Sequence, residues 1–170
     1  MEREIYIEDE RVALTRFDPG EDGPLQFDCW QDPQVQAGYN YRMELTREQF
    51  LQRPIRSRFL AAIRCKADGS TAGFVFLSPE HTPPDLAIML CRDYRGRGYG
   101  TAAFRLALQY CFEVFSLEEI YAGCYAHNAA SLNMLKKCGF VPHPEGNQEE
   151  KHYLDGSPVT QYDYVKRRGC

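Results

Sequence analysis

Seven residues in the middle of the chain combine glycine and arginine in a pattern that suits anion binding. Residues 95–101 read R-G-R-G-Y-G-T, with Gly96, Gly98 and Gly100 at alternate positions. Because glycine has no Cβ atom, the backbone can turn tightly and point several N–H groups at one place. A helix is predicted to follow, and its N-terminus adds partial positive charge. The loop therefore predicts a site for a phosphate or pyrophosphate.

The spacing of the glycines indicates which phosphate ligands fit. A P-loop has four residues between its glycines and then a lysine, and no lysine follows here. The dinucleotide pattern G-x-G-x-x-G is missed because Gly100 comes one residue early. ATP, GTP and dinucleotides are thus poor candidates. From the loop alone, a glycine-rich turn with solvated arginines is the alternative interpretation.

Hydrophobic periodicity predicts the elements that hold the loop. Leu86–Leu90 is apolar without alternation, which is typical of a central strand buried on both faces. Residues 99–115 carry apolar side chains at helical spacing. A second strand at 120–125 and a second helix at Ala129–Lys137 follow. Strand, helix, strand and helix in this order imply a parallel strand pair with a crossover.

The other segments predict further strands around a short helical region. Alternation predicts strands at 11–17, 57–64, Thr71–Leu77, 149–154 and 159–165, and helical composition predicts two short helices in 25–53 that join around 38–42. Asp68 and Gly69 mark a hairpin between two of these strands. The fold class is therefore a mixed α/β sheet.

Composition limits the class of protein. The chain has 170 residues, 44% of them hydrophobic, which suits one domain over 1–170. A net charge of -4 argues against nucleic acid as a partner. No run approaches the roughly 18 apolar residues of a membrane span, and the first residues lack an apolar signal region. Seven cysteines without a C-x-x-C motif predict a cytoplasmic protein without a thiolate metal site.

Two motifs together resemble those of the GNAT superfamily of N-acetyltransferases. Arg95, Gly98 and Gly100 match its Arg-x-x-Gly-x-Gly signature after an apolar strand. Residues 128–131, N-A-A-S, with 137–140, K-C-G-F, are similar to its second conserved segment. The resemblance is strongest to the branch of ribosomal-protein N-terminal alanine and serine acetyltransferases. It implies a GNAT-like, mostly antiparallel central sheet flanked by helices, with one parallel strand pair.

The resemblance covers about residues 10–166 and implies an enzyme that uses acetyl-CoA. A small amine or a peptide N-terminus is the implied acceptor, and a homodimer is a further possibility. The implied cofactor contacts are main-chain groups of Ile88, Leu90 and Cys91 for the pantetheine arm, Arg97, Gly98, Tyr99, Gly100 and Thr101 for the pyrophosphate, Arg95 and Gly96 in the same loop, and Asn128 with Ser131 on the other side.

In such an enzyme the amine attacks the thioester directly, without a covalent enzyme intermediate. The protein then supplies alignment, a donor to the developing oxyanion and proton handling. The main-chain N–H of Leu90 or Cys91 is the predicted donor. The Cys91 side chain is interpreted as packing, because no histidine or lysine next to it in sequence lowers its pKa.

The family's usual acid and base are both replaced in this chain. A tyrosine that acts as the general acid in many relatives corresponds to Leu135, and an acidic residue that acts as the base corresponds to Gly123. Asp85 is the candidate catalytic carboxylate, with an ordinary turn residue as the alternative. Tyr39 and Tyr41 are candidates for the acceptor site or, equally, for hydrophobic plugs. A non-catalytic module that binds or senses acyl-CoA is the alternative function.

Overall fold

Segments with alternating apolar residues form two adjoining β-sheets. The structure is a computed structural model that describes residues 3–170. The strands are β1 (Ile5–Glu8), β2 (Val12–Arg16), β3 (Phe59–Cys65), β4 (Thr71–Leu77), β5 (Leu86–Leu90), β6 (Glu119–Tyr125), β7 (Val141–Pro142), β8 (Gln148–Lys151) and β9 (Pro158–Arg167). The helices are α1 (Gly23–Gln31), α2 (Pro33–Tyr39), α3 (Arg47–Gln52), α4 (Tyr99–Val114) and α5 (Ala129–Lys137), with a short 3₁₀ turn at Arg92–Tyr94.

The first sheet contains β1 to β5 in chain order, and every neighbouring pair is antiparallel. Helix α4 packs across one face of it. The buried stripe of α4 includes Ala103, Phe104, Ala107 and Cys111, each at most 1% exposed. This is the spacing of one helical face. The predicted amphipathic helix is therefore confirmed.

Helices α1 and α2 cover the opposite face of the same sheet. Cys29 of α1 and Val35 of α2 form a separate buried cluster with Phe74 of β4 and Met89 of β5. Leu86, also on β5, belongs instead to the cluster under α4. Strand β5 is thus covered on both faces, as its unbroken apolar sequence predicts.

The second sheet has β9 at its centre, paired with β6, β7 and β8. Within residues 3–170, β5 and β6 are joined by an isolated parallel bridge between Asp85 and Tyr121. There the Tyr121 N–H donates to the Pro84 carbonyl at 2.8 Å. The expected parallel strand pair is not confirmed beyond this bridge, and β5 is the last strand of the first sheet. The two strands diverge towards their carboxyl ends and leave a cleft.

The other differences from prediction are short elements: β7 is an additional two-residue strand, β8 ends at Lys151 and not at 154, and the rest lie near the N-terminus. Strand β1 was not predicted, because four residues give little periodicity. Three helices, α1 to α3, replace the two expected in 25–53. α3 begins with a capping box, in which Thr46 and Gln49 exchange side-chain and main-chain hydrogen bonds.

Gly73 allows β4 and β5 to approach closely beside the cleft. A Cβ atom there would lie 2.1 Å from the Met89 carbonyl oxygen. Because a backbone atom cannot move aside cheaply, we expect Gly73→Ala to lower the free energy of unfolding by about 1–3 kcal/mol. Gly20→Ala is the control, since its Cβ would meet only an Asp18 side-chain oxygen at 3.2 Å. Urea unfolding measures both, and equal effects would contradict the packing argument.

No helix in the part of the chain that the structure describes has the length and apolar character needed to cross a membrane.

Candidate active site

The glycine loop ends where α4 begins, and its backbone has the conformation that glycine favours. Gly96 has φ 69° and Gly98 has φ 83°, and Gly98 is the N-cap of α4. The first N–H groups of a helix have no acceptor within the helix. Here these belong to Tyr99, Gly100 and Thr101, because the first bond back to Gly98 comes from Ala102, at 3.2 Å. The predicted anion cradle thus has free donors at the positive end of a 16-residue helix.

Arg11 adds a positive charge to the loop that sequence reasoning missed. Its Nη2 donates to the Arg97 carbonyl at 2.7 Å, and its guanidinium lies 5.0 Å from the centre of the Tyr99 ring. A Cβ atom on Gly98 would lie 2.8 Å from Arg11 Nη1. An open groove of about 410 Å³ runs from here along α4, past Arg105 and Lys137. No local signal identifies Arg11, because it lies 86 residues before its partner.

Arg95, one of the cofactor contacts that the resemblance implies, has a side chain that bonds to protein partners. Its Nε and Nη2 donate to the Leu90 carbonyl at 3.1 and 2.9 Å, and its Nη1 donates to Gln34 at 2.9 Å. An ion pair of 3.2 Å with Asp32 completes the set. Arg95 therefore positions the end of β5, and Arg97 is the loop arginine with the more exposed side chain.

Main-chain groups of β5 alternate between its partner strand and the cleft. The Cys91 N–H donates to the Ala72 carbonyl at 2.9 Å, and the Cys91 carbonyl accepts from the Tyr94 N–H at 3.0 Å. The N–H of Cys91 is thus already bonded and is not available as a donor to a cofactor. Since alternate residues of an antiparallel pair point outward, Ile88 and Leu90 face the cleft.

The outward carbonyls of Ile88 and Leu90 already have partners, whereas their N–H groups face the cleft. The Ile88 carbonyl accepts from the Tyr39 hydroxyl at 2.6 Å, and the Leu90 carbonyl accepts from Arg95. This leaves the N–H groups of Ile88 and Leu90 as the donors of the open edge. Of the two donors considered from sequence, Leu90 is the one with suitable geometry.

Tyr39 forms the inner wall of the cleft on the α2 side. Its ring centre lies 5.0 Å from that of Trp30 and 6.3 Å from that of Phe76. Burial raises the pKa of its hydroxyl, with a further contribution from the Asp85 charge. Tyr41 lies further out, 47% exposed, with its ring edge-on to Trp30 at 5.7 Å. Tyr39 therefore both packs and lines the cleft edge, and Tyr41 covers Trp30 from outside.

We expect Tyr39→Phe to lower the free energy of unfolding by about 1 kcal/mol, because it removes a single hydrogen bond to the Ile88 carbonyl and keeps the ring packing. Tyr41→Phe is the matched control, since Tyr41 is exposed. Urea unfolding at constant m-value gives both changes. Indistinguishable variants would show that the hydroxyl contact contributes nothing to stability.

Asp85 lies at the point where β5 and β6 diverge. It pairs with Tyr121 in the bridge, and Gly123, two residues further along β6, pairs with Asp163 of β9. Cross-strand partners and residues two apart share a face, so the side chains of Asp85 and Asp163 are on the same side. The Asp85 side chain reaches solvent, but neighbouring protein atoms displace much of the water around its carboxylate. This desolvation is the main cause that raises the pKa of Asp85 to about 6, and the Asp163 charge contributes further.

The positions of the family's usual acid and base cannot serve that purpose here. Leu135 is 1% exposed and lies in the core under α4. A Cβ atom on Gly123 would lie 2.0 Å from Gln161 Nε2, so the Gln161 amide occupies the space that a larger side chain would need. Asp85 is thus the carboxylate at the cleft with a pKa suited to proton transfer.

Asn128 and Ser131 lie at the start of α5, which follows the other wall of the cleft. The Asn128 Oδ1 accepts from the Ser131 N–H at 3.1 Å and so caps α5. The Asn128 amide nitrogen is close to Gly38 of α2, 3.3 Å from the position a Cβ atom would take there. The neighbouring His127 ring is 3.2 Å from the Ala37 carbonyl. These contacts connect α2 to the second sheet across the cleft.

Cys91 has a neighbour that its sequence did not reveal. Its Sγ lies 3.0 Å from the Sγ of Cys29 on α1. This hydrogen bond lowers the pKa of Cys91 and raises that of Cys29. The structure therefore places a thiol pair at the end of β5, where packing alone was expected.

The second sheet also contributes polar groups to the rim that sequence reasoning missed. The Tyr125 hydroxyl donates to Glu150 Oε2 of β8 at 2.7 Å. Burial, followed by this bond, raises the pKa of Tyr125 to about 12. Asn40, after α2, donates to the Lys151 carbonyl at 2.9 Å. The hairpin of β8 and β9 thus contributes to the rim of the cleft, and no local motif in 148–167 indicates this.

Comparison with known proteins identifies the family. The family model for the acetyltransferase (GNAT) domain matches residues 11–141. A curated relative, spermidine N(1)-acetyltransferase of Escherichia coli (strain K12), is 29% identical over 94 residues, which is 54% of this chain and only 50% of that relative. The chain therefore spans about half the length of this curated relative.

Solved structures show the same fold over nearly the whole chain. Spermidine N-acetyltransferase from Vibrio cholerae, in complex with CoA and spermine, has a TM-score of 0.81 at 15% identity and covers 94% of this chain and 96% of that one. Ribosomal-protein-S5-alanine acetyltransferase from Vibrio fischeri has a TM-score of 0.77 at 19% identity, with 96% of each chain covered. With the family match over residues 11–141, these findings establish that the chain belongs to the acetyltransferase (GNAT) family.

Proposed function

We propose that this protein is an N-acetyltransferase that transfers the acetyl group of acetyl-CoA to a primary amine. One observation carries the proposal: within residues 3–170, the first N–H groups of α4 and the outward N–H groups of Ile88 and Leu90 have no protein acceptor, and they lie on two consecutive elements joined by the glycine loop. The curated relative supports an amine acceptor, because spermidine is an amine.

The residues present fit CoA. Helix N-terminal N–H groups and the charges of Arg11 and Arg97 suit a pyrophosphate. The bare Gly98 lets the phosphates approach the backbone, since any side chain would point towards Arg11. The free N–H groups of Ile88 and Leu90 suit an extended arm that adds to β5 as a further strand would.

Acetyl-CoA supplies an already activated acetyl group, so no protein nucleophile is required. The chain aligns the amine and provides an outward N–H group of β5 as donor to the charge that develops on the thioester oxygen. Asp85 accepts the proton of the attacking amine through intervening water, and the CoA sulfur leaves as a thiolate. A pKa of about 6 leaves this carboxylate ionised at neutral pH yet basic enough to act.

Thiol release from acetyl-CoA tests the activity. The acceptors are N-terminal peptides, polyamines, aminoglycosides and amino acids, and Gly98→Glu serves as the inactive control. We expect at least one amine class to accelerate thiol release by wild-type protein only. Absence of acceleration by any class would contradict the transferase proposal.

A non-catalytic CoA-binding module is the second candidate. The buried Leu135 and the Gln161 amide above Gly123 favour it, because the usual acid and base positions are both lost. It predicts CoA binding without thiol release, so calorimetry together with the same acceptor panel separates the two candidates. A cytoplasmic location is part of our proposal, consistent with the free thiols of all seven cysteines.

A further inference from the structure

A second cavity lies on the α1 and α2 face of the first sheet, away from the glycine loop. Its volume is about 240 Å³, and Trp30, Phe76, Arg53, Arg56 and Pro79 contribute to its lining. Among residues 3–170, none of those that line it is acidic. It therefore combines two aromatic side chains with two positive charges, in a protein whose net charge is -4.

Arg53 is half-buried in the wall of this cavity. Its Nη1 donates to the Phe50 carbonyl at 3.0 Å and its Nη2 donates to Gln26 Oε1 at 3.0 Å. The guanidinium also stacks on the Phe50 ring, 3.5 Å from the centroid. These contacts fix its position, and burial lowers its pKa.

Within residues 3–170, Arg53 has no carboxylate at ion-pair distance, and neither has Arg56. Burying a charge without a counter-charge is costly. Arg53 is nevertheless held firmly by neutral partners and faces a cavity that holds Arg56 as well. The arrangement is that of a site whose counter-charge comes from a ligand.

Aromatic contacts connect the cavity with the cleft. Tyr39 packs on Trp30 and Phe76 of the cavity wall and donates its hydroxyl to the Ile88 carbonyl on the cleft edge. One tyrosine ring therefore separates the two spaces. From Pro79, the chain leads to Asp85, whose N–H donates to the Ser78 hydroxyl at 2.9 Å. Asp85 lies on the same face of the first sheet as Phe76 of this cavity, because Phe76 pairs with Ala87, two residues from Asp85.

We infer that this cavity binds a carboxylate group of the acceptor, which makes the preferred acceptors amines that also carry a carboxylate beside an apolar group, such as acidic peptide N-termini. The inference rests on the proposed acetyl transfer. A guanidinium forms charge-assisted and often bidentate bonds to a carboxylate. Trp30 and Phe76 pack the apolar part. Polyamines carry only positive charge and are disfavoured by Arg53 and Arg56.

Trp30 provides a binding measurement that does not depend on turnover. It is the single tryptophan of the chain and lines the cavity, so its fluorescence reports occupancy. Two tripeptide amides are compared that differ only in glutamate or glutamine at the second position, with spermidine as a third ligand. We expect the glutamate peptide to bind about tenfold more tightly at low salt, which corresponds to about 1.4 kcal/mol. The preference should shrink in higher salt.

Arg56→Gln tests the site with little risk to folding, because Arg56 is exposed. We expect it to reduce the preference for the glutamate peptide at least threefold, and Arg53→Gln to abolish it. Arg42→Gln is the control, an exposed arginine on the same side that does not line the cavity. It should leave the preference unchanged.

Several outcomes would overturn the inference: equal affinity of the two peptides, tighter binding of spermidine, or equal effects of Arg56→Gln and Arg42→Gln. Its failure is distinguishable from failure of the proposed function. If spermidine is acetylated and the glutamate peptide shows no preference, the cavity assignment is wrong and acetyl transfer stands. If the preference is seen without any thiol release, the cavity assignment stands and the transferase proposal fails.

Discussion

Gly98→Glu is expected to weaken CoA binding at least 100-fold, or by about 2.7 kcal/mol. Gly98 lies at the N-terminus of α4, where the free N–H groups would meet the pyrophosphate. The new side chain would place bulk and a negative charge at that position, in place of the positive charge that the loop offers. Isothermal titration calorimetry with CoA measures the loss directly.

The substitution has a backbone cost that must be separated from the charge effect. Gly98 has φ +83°, where a side chain is strained by about 1–2 kcal/mol. Gly69→Glu is the matched control, since Gly69 has φ +73° in the hairpin between β3 and β4 and open space around it. The free energy of unfolding should fall by similar amounts in both variants, and only Gly98→Glu should weaken CoA binding. Wild-type affinity in Gly98→Glu would remove the pyrophosphate assignment.

Asp85→Asn is expected to lower kcat/KM for the amine by about 100-fold or more above pH 6, because it removes the general base. Below its pKa of about 6 the wild-type carboxyl is protonated and cannot accept a proton. The ratio of wild-type to variant rates should therefore rise as pH increases through about 6, whatever the amine's own titration. Steady-state rates between pH 5 and 8.5 provide the profile.

Glu80→Gln is the control for this profile, since Glu80 is an exposed carboxylate in the loop that leads to Asp85. It should leave the ratio near one at every pH. A ratio for Asp85→Asn that does not change with pH would show that Asp85 only maintains the local structure.

The same group should affect stability in the opposite direction to activity. Burial raises the pKa of Asp85 above its unfolded value, so the folded protein favours the neutral acid. The associated stability is present at low pH and is lost as pH rises through about 6. Asparagine resembles the neutral form. Asp85→Asn should thus raise the Tm at pH 8 and change it little at pH 4, as thermal unfolding at the two pH values would show.

The elements with strong local sequence signals are predicted best. The bounds of β4, β5 and α5 agree with those expected, because apolar runs of these lengths and a glycine after α5 define them locally. The glycine loop was located for the same reason: its conformation depends on residues within the loop. Short or irregular segments such as β1 and α1 to α3 depend on packing partners and were predicted less well.

The roles of individual groups depended on contacts between distant parts of the chain. Strand pairing with Ala72 decides that the Cys91 N–H is unavailable and that Leu90 faces the cleft. Arg95 has suitable charge and position for a phosphate, yet its partners in α2 and β5 fix its guanidinium elsewhere. Arg11 reaches the loop from the start of β2. No pattern in the local sequence specifies such contacts, because they arise when the sheet forms.

A crystal structure of the complex with CoA tests the central claim most directly. We predict that pyrophosphate oxygens accept hydrogen bonds from the N–H groups at the start of α4, and that the pantetheine arm lies along β5 within hydrogen-bond distance of the Ile88 and Leu90 N–H groups. CoA bound away from Gly98, or an arm that makes no contact with the main chain of β5, would contradict it.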